Sequence, residues 1–315
     1  MTSDSAQAAH EELRLRGPDF FIVGAPKCGT TALDDYLSRH PDIFMARKEC
    51  HYFAPDMSPP NSRYREVENY LAQFDARRDQ TLAGESSVYY LYSRIAVRRI
   101  HDYRPDARII VMLRNPVDAV ASYHSQLVLN GEEEIVDLEQ AVLAEPGRVA
   151  GFVERGNRRP QAVLYYRAVV SYAAQLATYF EVFGRNQVHV ILFDDFMKDT
   201  SREYGNVLRF LEVDSGFRTS FEVINANAVA RNRTLMRLLR YPPDWIRGPL
   251  NAILPHPPLA RARAGLIGLL EKQVRRPPVP VNLRRALEAE LRPDIERLGV
   301  LLDRDLSHWY DSENR

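Results

Sequence analysis

Cysteine and long apolar runs are scarce in this sequence. Its 315 residues include only two cysteines, Cys28 and Cys50. These are too few for a disulfide framework, and they fit a reducing compartment. No apolar run approaches the ~18 residues that a transmembrane helix needs, and residues 1–16 contain no apolar signal-peptide core. We therefore expect a cytoplasmic protein without a membrane span, in which residues 1–17 form a flexible N-terminal tail.

An excess of either charge is also missing. Lysine plus arginine number 42, and aspartate plus glutamate number 42, so no overall field points to a nucleic-acid partner, and peripheral membrane contact is not expected. The charges are unevenly placed, because residues 231–285 contain twelve basic residues and two acidic ones. This stretch is either a solvated arginine-rich surface or a wall for an anionic ligand. Six prolines within residues 241–258 predict a mobile segment at about 231–263.

Short apolar runs alternate with amphipathic stretches along the chain. The runs that predict strands are Phe20–Gly24, Leu82–Glu85, Arg108–Leu113 and Val188–Phe193. The stretches that predict helices are Thr30–Arg39, Ile95–Tyr103, Pro116–Leu129, Val163–Phe183, Ser201–Leu211 and Leu283–Leu302. This alternation predicts an α/β protein with a P-loop-like three-layer fold, in which helices flank a central parallel sheet. We assign residues 18–312 to a single domain and expect the polar segment Glu132–Gly156 to form a surface excursion with a short helix.

A glycine-containing loop follows the first predicted strand. Gly24 and Gly29 match the spacing of the P-loop pattern G-x-x-x-x-G-K-[ST], but Thr30 occupies the lysine position. The lysine of this loop, Lys27, lies between the two glycines. Free N–H groups at a helix N-terminus bind phosphate. The displaced lysine suits a 5′-phosphoryl group that bears one further anionic group better than it suits a triphosphate.

A second candidate anion site follows the third predicted strand. Arg114 ends that strand, and the carboxyl ends of strands line the ligand crevice of open α/β sheets. Ser122 lies about two turns into the next helix, which Asn115 caps and Pro116 begins. A guanidinium and a hydroxyl can both bind phosphate. Together with the glycine loop, Arg114 and Ser122 therefore predict two anion sites for one nucleotide.

The segment Lys48–Phe53 places a cation, a carboxylate and an imidazole close together. Glu49 and His51 are two residues apart, so they would face the same side of an extended segment. A carboxylate near a lysine stays ionised and can take a proton from an acceptor hydroxyl. Lys48, Glu49 and His51 are therefore candidate catalytic residues. The alternative for His51 is a structural histidine.

These motifs together resemble the sulfotransferases that use 3′-phosphoadenosine 5′-phosphosulfate (PAPS). The likeness is greatest to the heparan sulfate N- and O-sulfotransferases and their bacterial relatives. Ala25–Thr31 is similar to the 5′-phosphosulfate loop of that family, and the pair Arg114 and Ser122 to its 3′-phosphate site. Lys48–Phe53 is similar to the segment that carries the catalytic glutamate, and Asp303–Trp309 to the C-terminal motif.

The resemblance implies in-line sulfuryl transfer from PAPS, without a metal, to a hydroxyl or amine. The acceptor would be a small molecule, a carbohydrate or a lipid, and the product adenosine 3′,5′-bisphosphate. Glu49 is then the general base, His51 orients the acceptor or shares that role, and Lys48 neutralises sulfuryl oxygens. Lys27 would act in catalysis as well as in binding. The implied cofactor-binding residues are Lys27, Cys28, Gly29, Thr30, Thr31, Arg114, Ser122, Arg231 and Arg233.

Two positions depart from that family. The heparan sulfate enzymes carry a lysine in a Glu-Lys-Ser/Thr-Pro segment, where this sequence has Ser86. We expect less positive charge on the acceptor side, which disfavours a polyanionic glycan. A late glycine- and lysine-rich cofactor loop is replaced by residues 225–233, and Arg231 and Arg233 are expected to close over the nucleotide in its place.

Two other functions stay open at the level of sequence. A P-loop kinase would share the glycine loop, but Thr30 replaces the lysine that contacts the β- and γ-phosphates in such enzymes. A non-catalytic nucleotide-binding protein is the second alternative, and the presence of Lys27, Glu49 and Arg114 disfavours it. No motif indicates the identity of the acceptor or the oligomeric state.

Overall fold

The computed structural model describes residues 16–78, 81–151, 160–222, 228–240, 265–274 and 276–311. The predicted tail at residues 1–17 lies almost wholly outside the described residues, as does most of the predicted mobile segment at 231–263. Within the described ranges, no helix is both long enough and apolar enough to cross a membrane.

The central sheet consists of five parallel strands. Their bounds are Phe20–Gly24 (β1), Ile43–Met45 (β2), Leu82–Ser86 (β3), Arg108–Leu113 (β4) and Val188–Leu192 (β5). The strand order is β2-β3-β1-β4-β5, and Phe20 pairs with Gly84 on one side and with Arg108 on the other. Strand β1 is therefore central, with β3 and β2 on one side and β4 and β5 on the other. The carboxyl end of β1 lies at a topological switch point, where open α/β sheets bind ligands.

The inner strands are apolar because helices cover both faces of the sheet. All five residues of β1 are buried, and so are residues 109–113 of β4. The four strands predicted from apolar runs are confirmed. Strand β2 was not predicted, because three residues at a sheet edge are too few to show a hydrophobic period. A further antiparallel pair, Ala228–Ala230 (β6) and Glu271–Gln273 (β7), lies apart from the main sheet.

Helices flank the sheet in two groups, as predicted for a three-layer fold. Among the described residues the α-helices include Thr30–Ser38 (α1), Val67–Leu71 (α2), Ala96–Tyr103 (α3), Pro116–Asn130 (α4), Leu138–Val149 (α5), Tyr166–Val170 (α6), Tyr172–Phe183 (α7), Phe193–Lys198 (α8), Thr200–Leu211 (α9), Arg233–Arg240 (α10) and Val281–Leu302 (α11). Helix α7 packs against α3 and α11. Helix α1 contacts α8 and α9, because Tyr36 stacks on Phe196 and its carbonyl accepts the Tyr204 hydroxyl.

Helix α4 begins directly beyond β4 because Asn115 caps it. Asn115 Oδ1 accepts two backbone N–H groups of the first turn at 3.0 and 3.3 Å, and Pro116 takes the first helical position. Asn115 Nδ2 also donates to the carbonyl of Trp309 at 2.9 Å. This bond holds the C-terminal motif beside the carboxyl end of β4.

The predicted continuous helix over Val163–Phe183 is wrong. Residues 161–164 form a 3₁₀ helix, and α6 and α7 follow as separate helices. The helix is interrupted because Tyr165 and Ser171 have non-helical ψ angles of 80° and 81°. Between these breaks, the hydroxyl of Tyr166 donates to Glu133 at 2.6 Å. Hydrophobic periodicity carries no information about such a tertiary contact.

The segment Glu132–Gly156 contains a short helix, as predicted, but its charged residues are not all on the surface. Glu133 is fully buried and Arg148 is nearly so, and Arg148 donates two hydrogen bonds to the Glu133 carboxylate at 2.8 and 3.0 Å. Buried charges need such a partner because they lose their hydration. The prediction of a simple surface excursion is therefore wrong for this ion pair.

Replacing Arg148 with methionine is expected to lower the free energy of unfolding by about 3–5 kcal/mol, because Glu133 would keep a buried charge without its cation. The matched control is Arg292→Met, since Arg292 forms an exposed pair with Glu296 and exposed pairs contribute about 0–1 kcal/mol. Urea-induced unfolding measures both changes. Equal effects of the two substitutions would contradict the structural role of the buried pair.

Candidate active site

The glycine loop joins the carboxyl end of β1 to the N-terminus of α1. Gly29 has φ 98°, in the left-handed region. A Cβ atom at this position would lie 3.1 Å from side-chain atoms of Met112 and Phe193. Glycine relieves both constraints. The resulting tight turn brings the free N–H groups of the first turn of α1 to the crevice at the carboxyl edge of the sheet.

Lys27 lies in the middle of this loop, and its Nζ donates to Gln126 Oε1 at 2.9 Å. Burial first, and then the positive charges of Arg276, Arg114 and Lys48, lower the pKa of Lys27 to about 8. The hydrogen-bond partner is a neutral amide, so it leaves the charge of the ammonium in place. Four cations therefore converge on one place, which is the electrostatic pattern of an anion-binding site.

Arg114 and Ser122 lie at the same cavity as Lys27, and Arg276 joins them. Arg276 Nη2 donates to Ser122 Oγ at 2.9 Å, and the Arg114 guanidinium lies 4.6 Å from the ring centroid of Phe193. The sequence does not single out Arg276, because it is one of twelve basic residues in its stretch. Only the folded chain brings it to Ser122, which is 154 positions away.

Lys48 reaches the loop from the segment that follows β2. Its Nζ donates to Thr30 Oγ1 at 3.1 Å and to Ser86 Oγ at 2.7 Å. Thr30 occupies the lysine position of the P-loop pattern, and Ser86 occupies the position where the heparan sulfate enzymes carry a lysine. One side chain therefore supplies a cation at both positions where the sequence lacks one.

Glu49 and His51 come together in space, although their segment is not extended. Both residues have left-handed backbones, with φ 68° and 53°. The prediction that they lie on one side of an extended segment is therefore wrong. Glu49 Oε2 nevertheless lies 2.9 Å from His51 Nε2. The Glu49 side chain is 36% exposed and lines the cavity, whereas that of His51 is 5% exposed. Glu49 can therefore take a proton from a group in the cavity while His51 orients its carboxylate.

Lys27, Glu49, Arg114, Ser122 and Arg276 line one cavity of about 620 Å³, whereas Lys48 and His51 are not among its lining residues. The structure thus unites the predicted glycine loop, the predicted base and the second predicted anion site. Most other side chains of this cavity are aromatic, apolar or amide-bearing, and two, Glu132 and Glu222, are carboxylates. The aromatic, apolar and amide-bearing side chains include Tyr36, Val88, Tyr89, Tyr123, Gln126, Leu127, Asn130, Phe193, Phe196 and Phe221.

The remaining predicted cofactor residues are placed differently. Cys28 is buried within the loop, and burial raises the pKa of its thiol to about 12. Arg231 is exposed and donates its backbone N–H to the carbonyl of Leu270 at 2.8 Å. It is not among the described residues that line the cavity. Arg233 begins α10, and its side chain lies outside what the structure describes.

The chain matches one known protein family over more than half of its length. The sequence model of the sulfotransferase domain matches residues 17–237. A sulfotransferase of known structure from Alicyclobacillus acidocaldarius is 32% identical, with a TM-score of 0.68, and the match covers 93% of this chain and 98% of that one.

Curated relatives match over shorter lengths. Human heparan sulfate glucosamine 3-O-sulfotransferase 6 is 37% identical over 117 residues, which cover 36% of this chain and 31% of the relative. Human carbohydrate sulfotransferase 15 is 25% identical over 262 residues, which cover 66% of this chain and 46% of the relative. The matches therefore span 31% and 46% of the length of these two relatives.

The electrostatic account of the site predicts how Lys27 titrates. Lys27 should titrate at about 8 in the unmodified protein, and Arg276→Met should raise its pKa, because one repelling cation is removed. Nuclear magnetic resonance of the isotope-labelled lysine side chain measures both values. Arg231→Met removes an exposed cation outside the cavity lining and serves as the control. An unchanged pKa of Lys27 in Arg276→Met would contradict the convergence of charges.

Proposed function

This chain belongs to the sulfotransferase domain family, and we propose that it transfers a sulfuryl group from PAPS to a hydroxyl or amine of an acceptor. The observation that carries the proposal is the meeting of two cationic sites in one cavity. Lys27 marks the first site, at the N-terminus of α1, and Arg114, Ser122 and Arg276 form the second. A nucleotide with a 5′-phosphosulfate and a separate 3′-phosphate needs two such sites.

The residues of the glycine loop fit the 5′ end of PAPS. The backbone N–H groups of Gly29, Thr30 and Thr31 begin α1, where the helix dipole favours negative charge. When bound, PAPS supplies the sulfuryl group and leaves as adenosine 3′,5′-bisphosphate. Lys27 and the loop amides stabilise negative charge at that end. Lys48, bonded to Thr30, adds a second cation beside it.

The second site fits the 3′-phosphate. Arg114 and Arg276 offer planar guanidinium groups, and Ser122 offers a hydroxyl. Aromatic side chains of the same cavity provide apolar surface for the adenine ring. Tyr36 and Phe221 contact each other there, with their ring centroids 5.0 Å apart.

Glu49 is proposed as the general base. It lines the cavity and lies against His51, so it can take the proton of an acceptor hydroxyl while His51 fixes the direction of its carboxylate. Lys48 holds positive charge near the oxygens of the transferring group. This assignment rests on the geometry of Glu49 and His51 and on the family resemblance.

The acceptor is proposed to be a small molecule, a carbohydrate or a lipid. The carbohydrate sulfotransferases among the relatives support a carbohydrate hydroxyl. The substitution at Ser86 does not by itself remove positive charge, since Lys48 bonds to Ser86. The expected argument against a polyanionic glycan is therefore weaker than the sequence suggested. Metal independence, a cytoplasmic location and the lack of a nucleic-acid partner stay predictions.

The P-loop kinase is disfavoured for a different reason than the sequence suggested. Lys48 places a cation on Thr30, so the missing loop lysine alone does not separate the two functions. The separation now depends on Arg114, Ser122 and Arg276, because a nucleoside triphosphate carries no 3′-phosphate for them to bind. Family membership favours the same conclusion.

Nucleotide selectivity is the first test. Adenosine 3′,5′-bisphosphate should raise the melting temperature, since a ligand at 100 times its Kd stabilises the folded state by about 2.7 kcal/mol. ATP with Mg²⁺, and adenosine 5′-monophosphate, should have much smaller effects. Arg276→Met should weaken binding of the bisphosphate far more than that of the monophosphate. Stabilisation by ATP and not by the bisphosphate would contradict the proposal.

Turnover is the second test. Lys27→Ala and Glu49→Ala should each lower kcat by roughly 10²-fold or more, from lost electrostatic and base catalysis. The assay follows sulfate transfer from PAPS to the best acceptor found in a screen of hydroxylated compounds. Glu139→Ala alters an exposed carboxylate on α5 and is the control. Near-normal turnover in Glu49→Ala would remove Glu49 as the base.

A further inference from the structure

Glu85 is a buried carboxyl group in β3, behind the cavity and not in its lining. It accepts the hydroxyls of Tyr70 at 2.9 Å, of Tyr90 at 2.9 Å and of Ser87 at 2.5 Å. The described hydrogen-bond donors of Glu85 are thus three neutral hydroxyls. Burying a charged group costs free energy even when the group is hydrogen-bonded. A contribution to stability therefore does not explain why Glu85 is buried here.

Two of these hydroxyls also accept hydrogen bonds from the segment that carries the proposed base. The backbone N–H of His51 donates to Ser87 Oγ at 3.0 Å, and that of Phe53 donates to the Tyr90 hydroxyl at 3.3 Å. Each hydroxyl has one hydrogen to donate, and it donates it to Glu85. The carboxylate therefore fixes the direction of both hydroxyls, and they present their lone pairs to residues 51 and 53.

The same segment has a backbone conformation that needs support. Glu49 and His51 both adopt left-handed φ angles, which are unfavourable for non-glycine residues because the Cβ atom crowds the following carbonyl oxygen. The Glu49 N–H is held by the carbonyl of Ser86 at 3.0 Å. The bonds that run through Ser87 and Tyr90 continue this support to the residues that follow.

We propose that Glu85 is a positioning residue, which holds residues 49–53 in place through Ser87 and Tyr90 so that Glu49 and His51 meet at the cavity. This inference rests on the proposed role of Glu49 as the base. Glu85 itself does not reach the reacting atoms. A purely structural carboxylate would affect stability alone, whereas a positioning residue affects turnover beyond its effect on folding.

The charge state of Glu85 is consistent with this role. Burial first, and the Glu49 carboxylate to a smaller extent, raise the pKa of Glu85 to about 7, against the opposing effect of its three hydroxyl donors. The Cys50 thiol also faces Glu85, and its pKa is raised above the usual range by burial first and by Glu85 second. The ionised form of Glu85, which accepts all three donors, therefore predominates above about pH 7.

Glu85→Gln tests the proposal, because glutamine keeps the shape of the side chain but replaces one hydrogen-bond-accepting oxygen with an NH₂ donor. We expect kcat to fall by about 10-fold or more, while the Kd for adenosine 3′,5′-bisphosphate changes less than about twofold, since the phosphate sites do not contact Glu85. Glu145→Gln, which alters a buried carboxylate outside the cavity lining, is the matched control. It should change the melting temperature without lowering kcat.

The path through Ser87 is tested by a double-mutant cycle. If Glu85 acts through this hydroxyl, Ser87→Ala and Glu85→Gln should be non-additive, and the double variant should lose little more kcat than the worse single one. Tyr90→Phe tests the second path and replaces Glu85→Gln if that variant does not fold. Full additivity at Ser87 together with an unchanged kcat in Tyr90→Phe would overturn the proposal.

Amide hydrogen exchange provides a readout that needs no activity. The N–H of His51 should exchange faster in Glu85→Gln than in the unmodified protein, while exchange in β4 stays the same. Faster exchange supports the positioning role even if no acceptor is found, so it is distinguishable from a failure of the proposed sulfuryl transfer. Unchanged exchange at His51, or a lower melting temperature with unchanged kcat, would overturn the proposal.

Discussion

Repulsion among half-buried like charges is the constraint on which this site depends. Lys27 lies close enough to Arg114, Arg276 and Lys48 that their charges add to burial in lowering its pKa to about 8. Neutral amide and hydroxyl groups hold Lys27 and Lys48. Favourable packing elsewhere in the fold offsets the free-energy cost of this repulsion, and a bound anion would lower that cost. This is why the cavity suits a nucleotide with two separate anionic groups.

The sheet explains how distant parts of the chain reach one cavity. The carboxyl ends of β1 and β4 are adjacent, so the glycine loop and Arg114 are neighbours by topology alone. Helix α4 then carries Ser122 and Gln126 along the wall of the cavity. Lys48 and Glu49 enter from the segment after β2, two strands away in the sheet. The parallel sheet thus brings together the glycine loop, the proposed base, Arg114 and Ser122, and Arg276 joins them from outside the sheet.

Much of this arrangement could be predicted from the sequence, because its signals are local. Strands β1 and β4 are apolar runs, the helix cap at Asn115 is a short motif, and the glycine loop is defined by spacing. Arg276, in contrast, is selected only by tertiary contact with Ser122. The break between α6 and α7 and the buried pair of Glu133 and Arg148 also depend on packing. No period or spacing in the chain encodes such contacts.

The position of Lys48 alters the interpretation of the glycine loop more than any other structural feature does. The sequence shows a threonine where a P-loop has its lysine, whereas the structure shows that Lys48, from another part of the chain, donates a hydrogen bond to that threonine. The feature that separates a sulfotransferase from a P-loop kinase is therefore the second anion site and not the first.

A crystal structure of the complex with adenosine 3′,5′-bisphosphate tests the role of the second anion site most directly. We expect the 5′-phosphate to bind at the Lys27 loop and the 3′-phosphate to lie between Arg114, Ser122 and Arg276. A 3′-phosphate that points away from these three side chains would contradict it.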